Sequence, residues 1–567
     1  ASADKTPALS LATTRNEANP TLQNQYTYDV TMFRETFETR FTYLNGFLRN
    51  VTRFGSRPAL HDPLSGRRWT YAQLNAEANR LAHALRADGV GKNDVVMFTL
   101  LNSPEFVFCY LAAHKVGAIA CPVNYRQGAG EIALVIDDSR PKAFIYDAEF
   151  GELSGGALEM CEHQPSRVVM VSYKGDAAAP AGHTSYADYV AGQPETDPPI
   201  DFAPHIYDET TRLYTSGTTN RPKGVPINNI NEVLSAHDVM MHFPLGPTDR
   251  TMNMTPWFHR GGIHSGGPCP TLYAGGEVVI LRDFAPKRCL EYAEKYKISF
   301  LIGVPTIIAM LARTQERTPA DLSGLRGIIT MGAPFEKAAC EKYMQLLTPN
   351  IFNGYGTTET FWNTFLRPFD LPDMAGSAGR SCTDDEVRLV AIHEDGTHAE
   401  PEETVPHDSK TPGEIIISSP AKSAFCYFNN PEMTAQKFYK GWLYTGDVGV
   451  WDENEFITVS GRKDDMIVSA GENIYPTQIE AVLNEHPKVA ESAVIGVPDK
   501  LRGEVVAAYV VPSDDSLTVE ELKDYCVHSP MLSSYKWPRI YNIVKELPHT
   551  ATGKLMHYKL RQQHESK

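Results

Sequence analysis

Between Thr215 and Gly224 the chain concentrates groups suited to a polyphosphate: the hydroxyls of Thr215, Ser216, Thr218 and Thr219, glycines at 217 and 224, and Lys223. Glycine lets backbone N–H groups close on an anion, hydroxyls donate hydrogen bonds, and lysine adds a mobile point charge. The order is not that of a Walker loop, because no Gly-Lys-Ser/Thr follows a first glycine at the required spacing. A shorter match would read as a solvated turn between strands.

Other residues gain chemistry only from their surroundings. Glu359 could hold a hard cation or simply face a helix dipole. Taken alone, Asp447 after Thr445-Gly446 is a turn residue, Arg462 one arm of a surface salt bridge, and Lys554 a solvated cation. Tyr355 alone would be a core aromatic. His259 and His264 are five residues apart, which puts them on different helical faces, and no acidic residue stands near them in sequence. A shared metal is therefore disfavoured.

The elements that must position these groups follow from hydrophobic patterning. Phe41–Phe54 reads as an amphipathic helix, and Thr70 with Gln73 forms a capping box for the next one. The apolar runs Val95–Leu100, Ala143–Tyr146, Val168–Val171, Glu277–Leu281 and Ser299–Gly303 read as buried strands with helices between them, one of these running through Cys109-Tyr110-Leu111. That alternation predicts parallel sheets covered by helices, an α/β fold. The character changes near Gly461–Ile467. Strands at Ala493–Val497 and Val505–Val511 and helices at Thr477–Asn484 and Thr518–Val527 then suffice for a small α+β unit. The expected division is an N-terminal arm at 1–30, a large parallel-rich domain at 31–462 and a small mobile C-terminal domain at 463–567.

A chain of 567 residues should split into several domains, and 42% apolar residues supply a large core. The net charge of −16 disfavours nucleic acid and anionic membrane, so any polyanion needs a local basic pocket. Nine scattered cysteines without a CxxC pair point to reduced thiols and a cytoplasmic location. No apolar run reaches the length of a spanning helix, and the first residues lack the apolar core of a signal peptide.

Five segments in order resemble the adenylate-forming superfamily of acyl-CoA synthetases, peptide-synthetase adenylation domains and beetle luciferases: Thr215–Gly224, Asn353-Gly354-Tyr355-Gly356-Thr357-Thr358-Glu359, Tyr444-Thr445-Gly446-Asp447, Gly461-Arg462-Lys463-Asp464-Asp465 and Leu547–Lys554. They span most of the chain, from about Phe41 to Lys554. The resemblance implies an acid–thiol ligase that forms an acyl-adenylate from ATP and a carboxylic acid, then passes the acyl group to coenzyme A.

By the same resemblance, Thr215, Ser216, Gly217, Thr218, Thr219 and Lys223 hold the β- and γ-phosphates. Glu359 binds Mg²⁺ and Thr358 touches the α-phosphate. Gly332-Ala333-Pro334 and Asn353-Gly354-Tyr355, with Gly356 and Thr357, form the adenine slot. Asp447 and Arg462 reach the ribose. Lys554, Glu359, Thr215 and His259 stand at the chemistry, with Lys554 the main cation of adenylation. Asp464 matches the hinge about which the small domain rotates between half-reactions. The acyl pocket is expected from Trp257, His259, Arg260, Gly262, Val304, Met331 and Gly332. Gly471 should line the path of the pantetheine arm, and Lys536 and Arg539 could meet the phosphates of coenzyme A.

His259-Arg260 stand where an amino-acid-activating domain usually places an aspartate, which argues against an amino acid. Only 13 residues follow Lys554, too few for a fused carrier domain. The substrate reading is an aromatic or medium-chain acid, for which glycines 261, 262, 266 and 267 would leave space unless they serve tight packing. Arg260 could pair with a second carboxylate, or lie at the surface. The alternatives are an acyl-AMP ligase loading a separate carrier protein and a non-catalytic nucleotide-binding relative. Assembly as a homodimer stays open.

Overall fold

A computed structural model of the chain describes residues 28–215, 221–332, 335, 337–393, 395–463, 465–548 and 555–566. Its first helix, Thr31–Arg40, ends at Phe41, and a second, Tyr43–Phe54, starts on Thr42, whose side chain accepts from the Asn45 N–H. The expected single helix from Phe41 is thus shorter by two residues, because Thr42 is a better N-cap than a helix interior. The Thr70–Gln73 capping box forms, and it starts the helix Tyr71–Ala87.

Two large sheets carry most of the chain. Seven strands form one, in the order Thr184–Ser185, Arg167–Val171, Ala143–Asp147, Val95–Thr99, Ile119–Pro122, Glu209–Thr215, Lys223–Asn228. All its pairs are parallel except the last hairpin. A nine-stranded sheet has a parallel centre, in which Glu277–Val279, Arg250–Asn253, Phe300–Gly303, Gly327–Met331 and Ile351–Thr357 lie side by side, and antiparallel edges. The helix Pro104–Val116 is buried along its whole length, which explains why its sequence shows no polar face.

A five-stranded antiparallel sheet follows and includes Trp442–Trp451 paired with Ile457–Arg462. After Asp465 comes a separate small sheet built on the long hairpin Val489–Asp499 and Gly503–Pro512, flanked by helices Pro476–Asn484 and Val519–His528. The architecture is α/β, with large parallel-rich sheets and a small α+β C-terminal part. No helix of the described residues is long and apolar enough to cross a membrane.

Candidate active site

Strand ends bring the chemistry-bearing residues together. Thr215 closes one strand and Lys223 opens the next, directly opposite each other in the hairpin register. Between them, Ser216, Gly217, Thr218 and Thr219 lie outside the described residues, as do Ala333, Pro334, Asp464 and Lys554. Thr215 Oγ1 is buried with no hydrogen-bond partner among the described residues. Lys223 is 5% exposed, and its Nζ stands 5.8 Å from the Tyr427 ring centroid and 5.3 Å from that of Tyr475.

The strand Ile351–Thr357 delivers the second group. A Cβ on Gly356 would lie 1.5 Å from the Phe361 carbonyl oxygen, so only glycine fits where the hairpin register shifts. The Tyr355 hydroxyl donates to Asp447 at 2.7 Å, and Arg462 Nη1 donates to the other oxygen of the same carboxylate at 2.7 Å. Asp447 and Arg462 are cross-strand partners, which is why motifs 15 residues apart meet. Glu359 accepts from the Tyr427 hydroxyl at 2.7 Å.

These residues share one cavity of about 2020 Å³, lined by Thr215, Lys223, Glu359, Asp447 and Arg462 together with Gly471 and Glu472 from the C-terminal part. A single small-molecule site is typically ~300–1,000 Å³. The space therefore suits a nucleotide and a second ligand together. Away from the polar groups its wall is apolar, with Met254, Val304, Ile307, Met310, Met331 and Phe335.

Gly471 has φ +83°, and a Cβ there would stand 3.0 Å from Val304 Cγ1. Next to it, Glu472 Oε1 meets His259 Nε2 at 3.1 Å and Arg126 Nη1 at 3.0 Å. Burial opposes the Glu472 charge, but His259 and Arg126 outweigh it and hold the carboxyl below its ordinary value. The C-terminal part thus closes on the cavity through the segment after Asp465.

Four sequence expectations are corrected. Trp257 does not line the pocket. It is 1% exposed and packs edge-on against Phe106. Gly262 leaves no room for a ligand, because a Cβ there would sit 2.1 Å from the Pro256 carbonyl oxygen, and the neighbouring Gly261 lines the cavity in its place. Arg260 borders the cavity, as expected, but is not a surface residue. It is 3% exposed and donates to the carbonyls of Thr358 and Lys422 at 2.8 Å each. Lys536 is fully buried, ion-paired to Glu131 and 2.9 Å from Gln478 Oε1, so it is not an open phosphate contact. Arg539 is exposed.

Sequence spacing also missed a buried cluster beneath the site. His264 Nε2 faces Glu232 at 2.8 Å, and Cys269 Sγ lies 3.4 Å from the same carboxylate, which also accepts from Tyr110 at 2.6 Å. Tyr110, Glu232 and the His264–Cys269 pair come from three segments far apart in sequence, so no local signal reveals it. His259 stands apart, on the cavity.

A family model described as AMP-binding enzyme matches residues 47–428, and one described as AMP-binding enzyme C-terminal domain matches residues 478–554. Feruloyl-CoA synthase of Amycolatopsis sp is 33% identical over 495 residues, covering 87% of this chain and 93% of that one. Long-chain-fatty-acid–CoA ligase FadD13 of Mycobacterium tuberculosis is 31% identical over 510 residues, covering 89% and 94%. Two solved forms of o-succinylbenzoate CoA synthetase from Bacillus subtilis are both 27% identical and cover 91% of this chain and 98% of theirs. The double mutant bound to the product analogue OSB-NCoA superposes with a TM-score of 0.78, the complex with the acyl-adenylate OSB-AMP with 0.64.

Proposed function

The chain belongs to the AMP-binding enzyme family, on the acid–CoA ligase branch of the adenylate-forming superfamily, and on that premise we propose the following reaction and division of labour. A carboxylate attacks the α-phosphorus of ATP, giving acyl-AMP and pyrophosphate. The thiol of coenzyme A then attacks the acyl carbon, giving the thioester and AMP. The observation that carries this reading is the convergence of Lys223, Glu359, Asp447 and Arg462 on one cavity whose far side is closed by Gly471.

The first step brings an anion to a polyanion, so fixed cations and donors must offset the charge that builds up. Lys223 and the Thr215 hydroxyl face the phosphates. Asp447, held by Tyr355 and Arg462, accepts from the ribose hydroxyls. Lys554 serves as the moving cation of this step. Glu359 would hold Mg²⁺, a hard ion suited to its carboxylate oxygen, which would screen the triphosphate. Asp464 is the hinge that exchanges Lys554 for Gly471, and Arg539 at the surface remains a candidate for the phosphates of coenzyme A.

The acyl group lies among Met254, Val304, Ile307, Met310, Met331 and Phe335. That wall favours an aromatic or medium-chain acid. A diacid is disfavoured, because both Arg260 Nη groups donate to backbone carbonyls and the residue is only 3% exposed. A cytoplasmic location is supported by nine cysteines, none in a disulfide and all but Cys426 buried.

The test is pyrophosphate release over a panel of aromatic and C6–C12 acids, with and without coenzyme A. Release with an apolar acid, and thioester only when coenzyme A is present, is expected. A panel-wide absence of pyrophosphate would overturn the reading.

A further inference from the structure

The turn that presents Thr358 and Glu359 is not self-supporting. It is followed by Phe361 at φ +63°, a left-handed conformation that a bulky residue seldom adopts without outside support. That support comes from below the site. Arg260 Nη1 grips the Thr358 carbonyl, and Arg260 Nη2 grips the Lys422 carbonyl, each at 2.8 Å. The Lys422 ammonium in turn donates to the Trp362 carbonyl, one residue beyond Phe361.

A second connection runs through side chains. Lys422 Nζ is 2.6 Å from Asp385 and 3.0 Å from Asp238. Asp385 accepts from Asn363 at 3.0 Å, Asn363 accepts from the Thr360 hydroxyl at 2.6 Å, and Thr360 pairs with the Thr357 hydroxyl at 2.6 Å. Lys422, Asp238, Asn363 and Thr360 are each at most 2% exposed. The Thr357 hydroxyl and the Trp362 carbonyl are therefore both tied to one buried ammonium, and every side chain between Lys422 and Thr357 is buried.

Burying a lysine is costly unless it is paired and fully hydrogen-bonded. Here two carboxylates and a carbonyl surround it, and the neighbouring Asp238–His242–Cys382 group has its charge balanced by Lys422. An apolar residue packed at that position would hold the fold without demanding this geometry. What the ion adds is direction, because its three donors point at fixed acceptors on two sides of the turn.

We propose that Lys422 is a positioning residue for adenylation, which fixes the Thr357–Thr360 turn so that Glu359 and Thr358 meet the metal and the α-phosphate. This rests on the adenylation reading above. Removing the ammonium lets the turn relax, weakening the metal–nucleotide site while leaving the lid contacts of the second half-reaction alone.

Two variants test it. Lys422→Met is made together with Asp385→Asn, so that one carboxylate is not stranded. Thr360→Val cuts the side-chain chain without touching a charge. Calorimetric titration with Mg²⁺ and α,β-methylene-ATP reads binding without turnover, and thioester formation from preformed acyl-AMP reads the second step. Expected is about a tenfold weaker Kd in the double variant, equivalent to ~1.4 kcal/mol, a smaller loss in Thr360→Val, and thioester formation within about twofold of wild type. An unchanged Kd in folded variants, or equal loss of both readouts, would overturn the proposal. Should the double variant not fold, Thr360→Val decides alone by the same two outcomes. Wild-type protein that binds no Mg²⁺–nucleotide would refute the adenylation reading itself and the positioning role with it.

Discussion

Lys536 and Glu131 are 405 residues apart in sequence and form a buried ion pair where the C-terminal part closes on the large sheets. Glu131 is held ready for it. Its other oxygen accepts the Gly128 N–H at 2.7 Å, and Gln478 Nε2 donates to the paired oxygen at 2.7 Å. Gly130 N–H also donates to the Pro530 carbonyl at 3.0 Å, and a Cβ on Gly128 would lie 2.2 Å from that same oxygen. Charge and close backbone packing together latch this one arrangement.

The latch predicts a split between half-reactions. Lys536→Ala strands a buried carboxylate, a change that typically costs ~3–5 kcal/mol where no relaxation occurs. Relaxation is available if the small domain turns away as proposed. Thioester formation from acyl-AMP should therefore fall by about tenfold or more, and pyrophosphate release should stay near wild type. The exchanged pair Lys536→Glu with Glu131→Lys should recover part of the loss. Equal loss of both half-reactions would show that Lys536 merely supports folding of the small domain.

Lys536 also marks what a linear reading can and cannot reach. Thr215, Lys223, Glu359, Asp447 and Arg462 were legible as a group because each belongs to a short motif, and the fold lines one cavity with them. The strands around Val95, Ala143 and Ser299 were legible from runs of apolar residues. Lys536, Arg260 and Lys422 were not, because a charged side chain reads as solvated until its partner is known. Those partners are Glu131, the Thr358 carbonyl and Asp385, none of them near in sequence. Glycines 261, 262, 266 and 267 left two alternatives open for a related reason: the sequence shows that space exists at Cβ, but not that Gly261 borders the cavity while protein atoms crowd the other three.

Gly471 should tolerate no side chain. Its φ of +83° strains any L-residue, and an added Cβ presses on Val304 at 3.0 Å. Gly471→Ala is expected to slow thioester formation by about tenfold, from roughly 1–2 kcal/mol of strain plus the contact, with adenylation spared. Adding Val304→Ala should return only the steric share. Unaltered thioester rates in Gly471→Ala would mean that this loop does not face the acyl site during catalysis.

His557 gives the C-terminal part a pH signature. Its Nε2 is 2.6 Å from Glu480 and its Nδ1 3.4 Å from Asp465, and the hydrogen bond to Glu480 raises its pKa despite burial. A raised folded pKa means the stabilisation is complete below the unfolded value of about 6.5 and is lost as pH rises through the folded one. Thermal melts should show the wild type losing about 2 °C or more between pH 6 and pH 9 relative to His557→Gln. A constant difference between the two proteins across that range would exclude the linkage.

Lys554 should matter for one step only. The helix that follows it, His557–Glu565, is tied by Arg561 to Asp465, the residue after the proposed hinge. If the small domain rotates about Asp464 as proposed, this tie carries the helix along with Asp465. Among the described residues it is Gly471 that abuts Val304 on the cavity wall. A cation needed only while the carboxylate attacks the α-phosphorus is dispensable once acyl-AMP exists. Lys554→Ala is thus expected to cut pyrophosphate release by about 10²-fold, the scale for removing a preorganised charge partner, while thioester formation from supplied acyl-AMP stays within about twofold of wild type. A mutant that releases pyrophosphate at the wild-type rate would take the lysine out of the first step.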